Sequence, residues 1–241
     1  MTIIAIPSYN DPKSLIKCVK KIKETSPESK IYVVEQTSKT DVDVDKYVHY
    51  PEPLGVGKAR RIVTDLIIKD HPDEIIVHVD DNTTVGKFAI DKLEKAMKTY
   101  PEFAWIGALN AFKHWLVGAG NSVEKLENEI IFTHSIGANL AALNPSFAKK
   151  HGHFKDMLVR EDFELCGNAW SNGWYVGMID VNLGHTRNTK SRTIDHPFHP
   201  KSEEFLSANA MIASLYPDHF KLIKNRQIRR KFKFPEKTYR I

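Results

Sequence analysis

The sequence has little cysteine and no long apolar run. It contains two cysteines in 241 residues, Cys18 and Cys166, which lie far apart and belong to no CxxC pattern. This scarcity argues against a disulfide framework and a cysteine-based metal or redox site, so we expect both thiols to be buried and reduced. A membrane helix needs roughly 18 to 20 consecutive apolar residues, and the N-terminus lacks the basic and then apolar order of a signal peptide. We therefore expect a cytoplasmic protein without a membrane span.

Internal repeats and low-complexity segments are also missing, so we expect the later half of the chain to complete the same domain as the first half. With 241 residues, of which 41% are hydrophobic, the chain can bury one sizeable core. We predict one folded domain over residues 1–220 and a basic segment over residues 221–241.

Basic charge is concentrated in that last segment. The formal net charge is +5, and residues 221–241 hold nine Lys and Arg against one acid. The segment therefore carries +8, which leaves −3 on residues 1–220. A concentrated basic segment on a mildly acidic body favours a polyanionic partner, nucleic acid first. A solvated tail that aids solubility is the alternative.

Strand patterns alternate with helix patterns along most of the chain. Apolar runs predict strands, the first of them stopped by Pro7, and apolar residues at helical spacing predict helices. In chain order these are a strand over 2–7, a helix over 12–24, a strand over 31–34, a helix around 59–67, a strand over 74–79, a helix over 88–100, a strand over 103–108, a helix from 145, a helix over 160–172 and a strand over 174–181. Residues 109–150 are otherwise hard to assign. The alternation predicts an α/β fold, a Rossmann-like and mostly parallel sheet flanked by helices, which binds ligands beyond the carboxyl ends of its strands.

An acidic triplet follows the predicted strand over 74–79. Asp80, Asp81 and Asn82 supply two carboxylates and an amide oxygen, the hard oxygen ligands that Mg²⁺ or Mn²⁺ prefers. Such a cation can bridge a diphosphate. The alternative is an ordinary turn, since Asp and Asn are common in loops.

Arg160-Glu161-Asp162 begins a predicted helix, and His185 follows the last predicted strand. Acids in a first helical turn often serve only the helix dipole, but Asp162 in this position can also accept a proton from an attacking hydroxyl. A neutral imidazole at His185 can complete a metal site with the triplet. A structural or surface role is the alternative, because the chain has 11 histidines.

A glycine-bearing loop begins the helix around 59–67. Backbone N–H groups near Gly57, with Lys58 and Arg60 beside them, suit the phosphates of a nucleotide. The loop lacks the GxxxxGK[ST] spacing of a P-loop, and a tight turn explains the glycines equally well.

Taken in chain order, these segments resemble the landmarks of family-2-like GT-A glycosyltransferases over about residues 3–190. The segments are Ile6-Pro7-Ser8-Tyr9-Asn10, Glu35, Gly57-Lys58-Ala59-Arg60, Asp80-Asp81-Asn82, Gly137-Ala138-Asn139, Arg160-Glu161-Asp162 and His185. The resemblance implies an inverting GT-A enzyme that uses a UDP-sugar donor and Mn²⁺ or Mg²⁺.

The resemblance also implies roles for single residues. The turn with Pro7 and Tyr9 is similar to the nucleoside site, together with the acid at Glu35. Gly57, Lys58 and Arg60 resemble the start of the helix that contacts the diphosphate or the rest of the donor.

In the same way, the triplet resembles the DxD metal motif, with Asp80 on the nucleotide side and position 82 in contact with the metal. Asp162, after Glu161, resembles the catalytic base, and His185 the third metal ligand. Two residues depart from the pattern, because Glu35 replaces the usual aspartate and Asn82 replaces the last aspartate of the DxD. An amide oxygen contributes no charge, so either metal affinity falls or Asp81 takes over as a ligand.

The acceptor is predicted from charge. Phe232, Phe234 and Tyr239 lie among the basic residues of the tail, a composition that fits phosphate neutralisation with stacking on extruded bases. The segment 186–200 adds Arg, Lys and His residues. The opening motif and the YPEPLGVGKAR segment are similar to phage-type enzymes that glycosylate hydroxymethylated pyrimidines in DNA, which would act in the host cytoplasm.

Two other functions remain open from the sequence. One is a transferase for a cell-envelope glycan or small acceptor, whose basic tail contacts anionic lipid. The other is a GT-A domain that binds nucleic acid without catalysis, which the amide at Asn82 favours.

Overall fold

A computed structural model describes residues 2–109, 129–133, 135–181, 183–185, 202–219 and 239–240. Its strands are β1 (Thr2–Tyr9), β2 (Lys30–Gln36), β3 (Lys46–Tyr50), β4 (Ile75–Val79), β5 (Thr83–Val85), β6 (Phe103–Ala108), β7 (Glu129–Phe132), β8 (Leu140–Leu143), β9 (Tyr175–Ile179), β10 (Leu183–His185) and β11 (Tyr239–Arg240). Its helices are α1 (Pro12–Thr25), α2 (Val56–Asp70), α3 (Ala89–Thr99), α4 (Pro145–His151), α5 (Glu161–Ser171) and α6 (Glu203–Leu215).

Proline and a capping side chain together begin two of these helices. The side chain of Asp11 accepts a hydrogen bond from the N–H of Ser14 at the start of α1, and Asn144 caps α4 in the same way. Each cap is followed by a proline in the first turn, where its missing N–H costs no helical hydrogen bond. These local signals explain why the helices over 12–24 and from 145 were predicted close to their true starts.

Nine strands form one sheet in the order β11-β7-β9-β6-β8-β4-β1-β2-β3, and β10 and β5 form a second, two-stranded sheet. In the large sheet, all described strands except β7 and β8 run in the same direction. The predicted α/β fold with a mostly parallel sheet is confirmed.

The prediction that Pro7 stops the first strand is wrong. β1 continues to Tyr9, because its register with β2 extends that far, whereas its register with β4 ends at Ala5. Pro7 therefore lies where the strand is paired on one side, a position that tolerates a missing N–H. The short or half-buried strands β3 and β5 were not predicted, since neither has a continuous apolar run.

The sheet separates two layers of core. One contains the apolar faces of α1 and α3, and the other contains those of α2, α4 and α5. Successive residues of β1 alternate between the layers, as strand geometry requires: Ile4 and Ile6 face one and Ile3 faces the other. Both cysteines are buried and free, which confirms the prediction of reduced thiols. No helix in the described part of the chain has the length and apolarity of a transmembrane span.

Gly57 allows α2 to pack closely against the segment before α5. A Cβ at this position would lie 2.6 Å from the carbonyl oxygens of both Lys155 and Met157. We expect Gly57→Ala to lower the free energy of unfolding by about 1–3 kcal/mol, measured by urea denaturation, because backbone atoms must move apart.

Gly184→Ala is the control, since among the described residues a Cβ there would meet only the side chain of Thr84, at 3.4 Å or more. If the two variants were equally stable, close packing would not explain why position 57 is a glycine.

Candidate active site

The acidic triplet lies directly after β4, at the carboxyl end of the parallel strands. The N–H of Asp80 donates to the carbonyl oxygen of Asn139 (2.9 Å), and the N–H of Thr83 donates to the carbonyl oxygen of Asp80 (2.9 Å). The second bond closes a tight turn between β4 and β5, and the first connects that turn to the residue before β8. The turn and the ligand-site interpretations of the triplet are therefore compatible, because this turn lies at the edge of the sheet where α/β folds bind ligands.

Asp81 is held by the end of β1. Its Oδ2 accepts hydrogen bonds from Ser8 Oγ (2.7 Å) and from the N–H of Tyr9 (3.4 Å). Burial, aided by the charge of Asp80 and opposed by the hydrogen bond from Ser8, raises the pKa of Asp81 to about 7. The opening motif and the triplet thus meet at one place, where the residue Tyr9 is 56% exposed.

Asn82 and His185 come close through the two-stranded sheet. β10 pairs with β5 in antiparallel register, and His185 lies opposite Thr83, the residue after Asn82. The side-chain oxygen of Asn82 is buried and has no hydrogen-bond partner among the residues that the structure describes. A buried acceptor without a donor fits a cation.

The described side chains do not form a complete metal site by themselves. Within the described ranges, no three His, Cys, Asp or Glu side chains converge in a group that could hold a metal. The backbone register brings His185 beside the triplet, but its side chain lies outside the described residues. The set of ligands predicted from the sequence therefore stays a prediction.

Arg60 is buried between two acids. Its Nε donates to Glu161 Oε1 (3.0 Å), its Nη2 forms an ion pair with Asp80 Oδ1, and its Nη1 makes a longer contact with the carbonyl oxygen of Ala138 (3.5 Å). The side chain is 3% exposed, which leaves almost no surface for the donor contact that the resemblance implies. The guanidinium instead joins four of the predicted landmark segments, those that contain Arg60, Asp80, Ala138 and Glu161.

Asp162 lies in the first turn of α5, next to this network. Its Oδ1 accepts from the N–H of Phe163 (2.8 Å), and burial raises its pKa, while the charges of Arg160 and Arg60 lower it. Burial and the charge of Asp162 also raise the pKa of Glu161 to about 7. A carboxylate whose pKa is raised is a stronger base, which suits the predicted role of Asp162.

The residue before α5 is conformationally strained. Arg160 has φ 69°, a left-handed conformation that is uncommon for a residue with a side chain, and no side chain caps the helix. Its guanidinium lies 3.5 Å from the ring centroid of Phe163 and 4.8 Å from that of Phe205 in α6. The contact of the guanidinium with both rings stabilises the strained turn and connects α6 to the start of α5.

Glu35 is fully engaged in hydrogen bonds within the protein. Its Oε1 accepts from Ser38 Oγ (2.7 Å) and Thr40 Oγ1 (2.6 Å), and its Oε2 accepts from the N–H of Thr40 (2.9 Å) and Tyr47 Oη (2.5 Å). The residue has no exposed surface. Its carboxylate therefore holds the segment after β2, and the nucleoside contact predicted for it stays untested.

Replacing Glu35 should destabilise the fold in a pH-dependent way. Although burial raises its pKa, the hydrogen bonds from Thr40, Tyr47 and Ser38 hold it below its ordinary value. A carboxylate whose pKa is lowered by folding stabilises the protein at pH values above its unfolded pKa of about 4.3. This stabilisation is lost as the pH falls through the pKa of the folded state. We expect Glu35→Gln to cost about 1–3 kcal/mol at neutral pH and progressively less on acidification, measured by urea unfolding across pH.

Glu24→Gln serves as the control, because the side chain of Glu24 is 49% exposed. A deficit of Glu35→Gln that did not change with pH would contradict the ionic contribution.

The structure supports the predicted phosphate loop only in part and does not describe most of the predicted acceptor-binding segments. The N–H of Gly57 already donates to the carbonyl oxygen of Met157 (2.9 Å), so the predicted phosphate loop loses one donor, while Lys58 remains partly exposed. The segment 186–200 and the tail residues Phe232 and Phe234 lie outside the described residues, and only the backbone of β11 is described near the end of the chain.

The buried position of Arg60 was missed, although the sequence contained a signal for it. Arg60 shares a helical face with Val63 and Ile67, three and seven residues later, and all three are buried in α2. A residue in line with an apolar stripe is expected to point into the core. Arg61 lies off that stripe and is 43% exposed in side chain.

The fold can be compared with those of known proteins. The sequence matches no protein-family model and no curated protein. The structure is similar to GalNAc-T7 with UDP, GalNAc and Mn²⁺, with a TM-score of 0.68 and 12% identity over 92% of this chain and 49% of that chain. It is also similar to TarS of S. aureus, with a TM-score of 0.63 and 14% identity over 98% of this chain and 44% of that chain.

The 1–349 form of S. aureus TarS gives a TM-score of 0.62 and 13% identity over 97% of this chain and 72% of that chain. This chain thus spans about half the length of GalNAc-T7 and of TarS. At such low identity the likeness shows the fold, and the fold is GT-A.

Proposed function

We propose that this chain transfers a sugar from a UDP-sugar to a hydroxyl group of an acceptor, with the help of Mn²⁺ or Mg²⁺. The observation that carries the proposal is the arrangement at the carboxyl ends of β1 and β4. There, Ser8 of β1 holds Asp81, and Arg60 links Asp80 to Glu161 in the turn that contains Asp162. A GT-A fold with this arrangement supports nucleotide-sugar chemistry, and GalNAc-T7, which is similar in fold, was solved with UDP and Mn²⁺.

The residues present fit a divalent cation. Asp80, Asp81, Asn82 and His185 would hold it, and the partnerless buried oxygen of Asn82 is the observation that favours such a site. When bound, the cation supplies positive charge that stabilises the departing nucleoside diphosphate. The turn with Pro7 and the exposed ring of Tyr9 would contact the nucleoside, and Lys58 the diphosphate.

Asp162 acts as the general base in the proposed reaction. It accepts the proton of the acceptor hydroxyl as that oxygen forms a bond to the anomeric carbon. The bond between the anomeric carbon and the diphosphate oxygen breaks, and its electron pair leaves with UDP. Attack from the face opposite to the leaving group inverts the anomeric configuration.

The test is a panel of nucleotide sugars and acceptors, incubated with Mn²⁺ or Mg²⁺ and followed by UDP release and mass spectrometry of the products. Release of a nucleoside diphosphate together with a glycosylated product supports the proposal. No release with any donor, from a protein that is folded and still binds nucleic acid, would favour the non-catalytic binding domain instead.

For the acceptor, we propose hydroxymethylated, or already glycosylated, pyrimidine bases in DNA. This proposal is supported by the +8 charge of residues 221–241 and not by the comparisons. Replacing the Lys and Arg residues of 224–233 with Gln is a better test than truncation, because β11 pairs with β7 and truncation would remove a strand. We expect weaker, less salt-dependent DNA binding, with donor hydrolysis unchanged.

A transferase for an envelope glycan is the competing function. In that case the same Gln variant would keep its DNA-independent turnover on a saccharide acceptor but lose any stimulation by vesicles containing anionic lipid.

A further inference from the structure

We propose that Arg60 is a positioning residue that couples the acidic triplet after β4 to the turn containing Asp162 at the start of α5. Its guanidinium bridges Asp80 and Glu161, and the bridge sets the distance between the donor-binding edge and the general base. The inference rests on the function proposed above, whose failure can be recognised separately by the experiment below.

The geometry of the guanidinium supports this role. Each of its three nitrogens faces a different element: Nε faces Glu161 in α5, Nη2 faces Asp80 after β4, and Nη1 faces the carbonyl oxygen of Ala138 before β8. A guanidinium is planar and its donors diverge at fixed angles. The three partners can therefore be bonded together only while α2, α5 and the segments after β4 and before β8 keep close to this arrangement.

Burial makes the bridge strong and leaves Arg60 almost no surface for a direct contact with the donor. The side chains of Arg60 and Glu161 are 3% and 6% exposed, and that of Asp80 is 26% exposed. A buried ion pair that loses one partner leaves an uncompensated charge, so both acids are held firmly. Since Oδ1 of Asp80 is engaged by Arg60, its Oδ2 is the oxygen left for a ligand.

The bridge also determines the position of Asp162. Glu161 is the first residue of α5, and Asp162 follows it in the same turn. No side chain caps this turn, so the ion pair of Glu161 with Arg60, together with the stacking of Arg160 on Phe163 and Phe205, connects the turn to the rest of the protein. Misplacing a catalytic group by about 1 Å can cost roughly 10²-fold in rate, which makes such a tie important for turnover.

Arg61 provides a matched control on the same helix. Its Nε pairs with Asp156 (2.8 Å), but the two side chains are 43% and 46% exposed. Exposed pairs of this kind contribute little. Arg61→Lys therefore changes the same chemistry in the neighbouring residue without changing the proposed bridge.

The experiment compares Arg60→Lys, Glu161→Met, Glu161→Gln and the double variant R60K/E161M with wild type and with the control Arg61→Lys, which should behave like wild type. We measure kcat for sugar transfer and the dissociation constant of UDP by calorimetry in the presence of Mn²⁺. Lysine keeps the charge but cannot reach both acids, so we expect kcat to fall by about 10- to 100-fold, with UDP affinity within about threefold of wild type. The kcat of the double variant should be no lower than that of the less active single variant, because both substitutions break the same ion-pair bridge.

Glu161→Gln separates positioning from chemistry. A glutamine oxygen still accepts from Arg60 Nε, so this variant should retain most of the activity that Glu161→Met loses. Activity lost equally in Glu161→Gln and Glu161→Met would show that Glu161 needs its charge for the reaction and would overturn the bridge. A loss of UDP affinity in Arg60→Lys that matches its loss of kcat would make Arg60 a donor contact and would also overturn it.

A readout without substrate distinguishes the two proposals. If the wild-type protein transfers no sugar, the proposed function fails, and the bridge is judged by the urea midpoints of the same variants. Midpoint losses that are smaller in the double variant than the sum of the single variants support the bridge, whereas additive losses refute it.

Discussion

Asp162→Asn is expected to lower kcat for sugar transfer by about 10²- to 10⁴-fold while the affinity for UDP stays close to that of wild type. This is the usual contribution of a positioned general base. An amide keeps the size of the side chain and can still accept from the N–H of Phe163, which Oδ1 of Asp162 does at 2.8 Å. The loss therefore reports proton transfer and not the fold of the turn.

The pH dependence of wild type should report the same group. Burial raises the pKa of Asp162, and a base acts only when it is deprotonated. We therefore expect kcat/KM to fall on acidification through a pKa above the ordinary aspartate value of about 3.9. Asp156→Asn is the control, because its side chain is 46% exposed and pairs with Arg61. Near-normal turnover by a folded Asp162→Asn protein would exclude Asp162 as the base.

The second large effect is expected at the metal site. Chelation of divalent cations should abolish transfer, and Mn²⁺ or Mg²⁺ should restore it. If the buried oxygen of Asn82 is a ligand, Asn82→Ala should raise the Mn²⁺ concentration for half-maximal activity by at least about tenfold. Asn82→Asp should have the opposite effect, because a carboxylate adds negative charge at the cation.

This pair of variants tests the role of Asn82 by direction as well as by size. A residue that only forms the turn between β4 and β5 would change stability in both variants without changing the Mn²⁺ requirement. Titration of activity with Mn²⁺, with unfolding measured alongside, separates the two roles. Equal Mn²⁺ requirements in Asn82→Ala, Asn82→Asp and wild type would remove Asn82 from the metal site.

Much of the fold could be predicted from the sequence because the signals that produce it are local. Apolar periodicity placed α1, α3 and α5 within about two residues of their bounds, and β6 was predicted with the same bounds that it has. β3 and β5 were missed because a strand of three to five residues without an apolar run depends on its neighbours for stability.

In the candidate site, too, some features could be predicted from the sequence and others could not. The residues of the triplet, the opening motif and the turn of Asp162 were recognised from their types and order. Their bonding partners were not: Ser8 holds Asp81 across 73 residues of sequence, and Arg60 reaches Glu161 across 101. No local pattern encodes a hydrogen bond over that separation.

The sequence by itself determined an α/β chain, the positions of most of its helices and strands, and the acidic groups available at the carboxyl ends of the strands. Only the tertiary structure decided how these groups are used. It turned Arg60 away from solvent, because the face of α2 that packs on the sheet includes that residue, and it placed a guanidinium between Asp80 and Glu161. It also enclosed Glu35 among Ser38, Thr40 and Tyr47. Charge and residue type are properties of the chain, whereas the partner of a buried charge depends on which elements pack together.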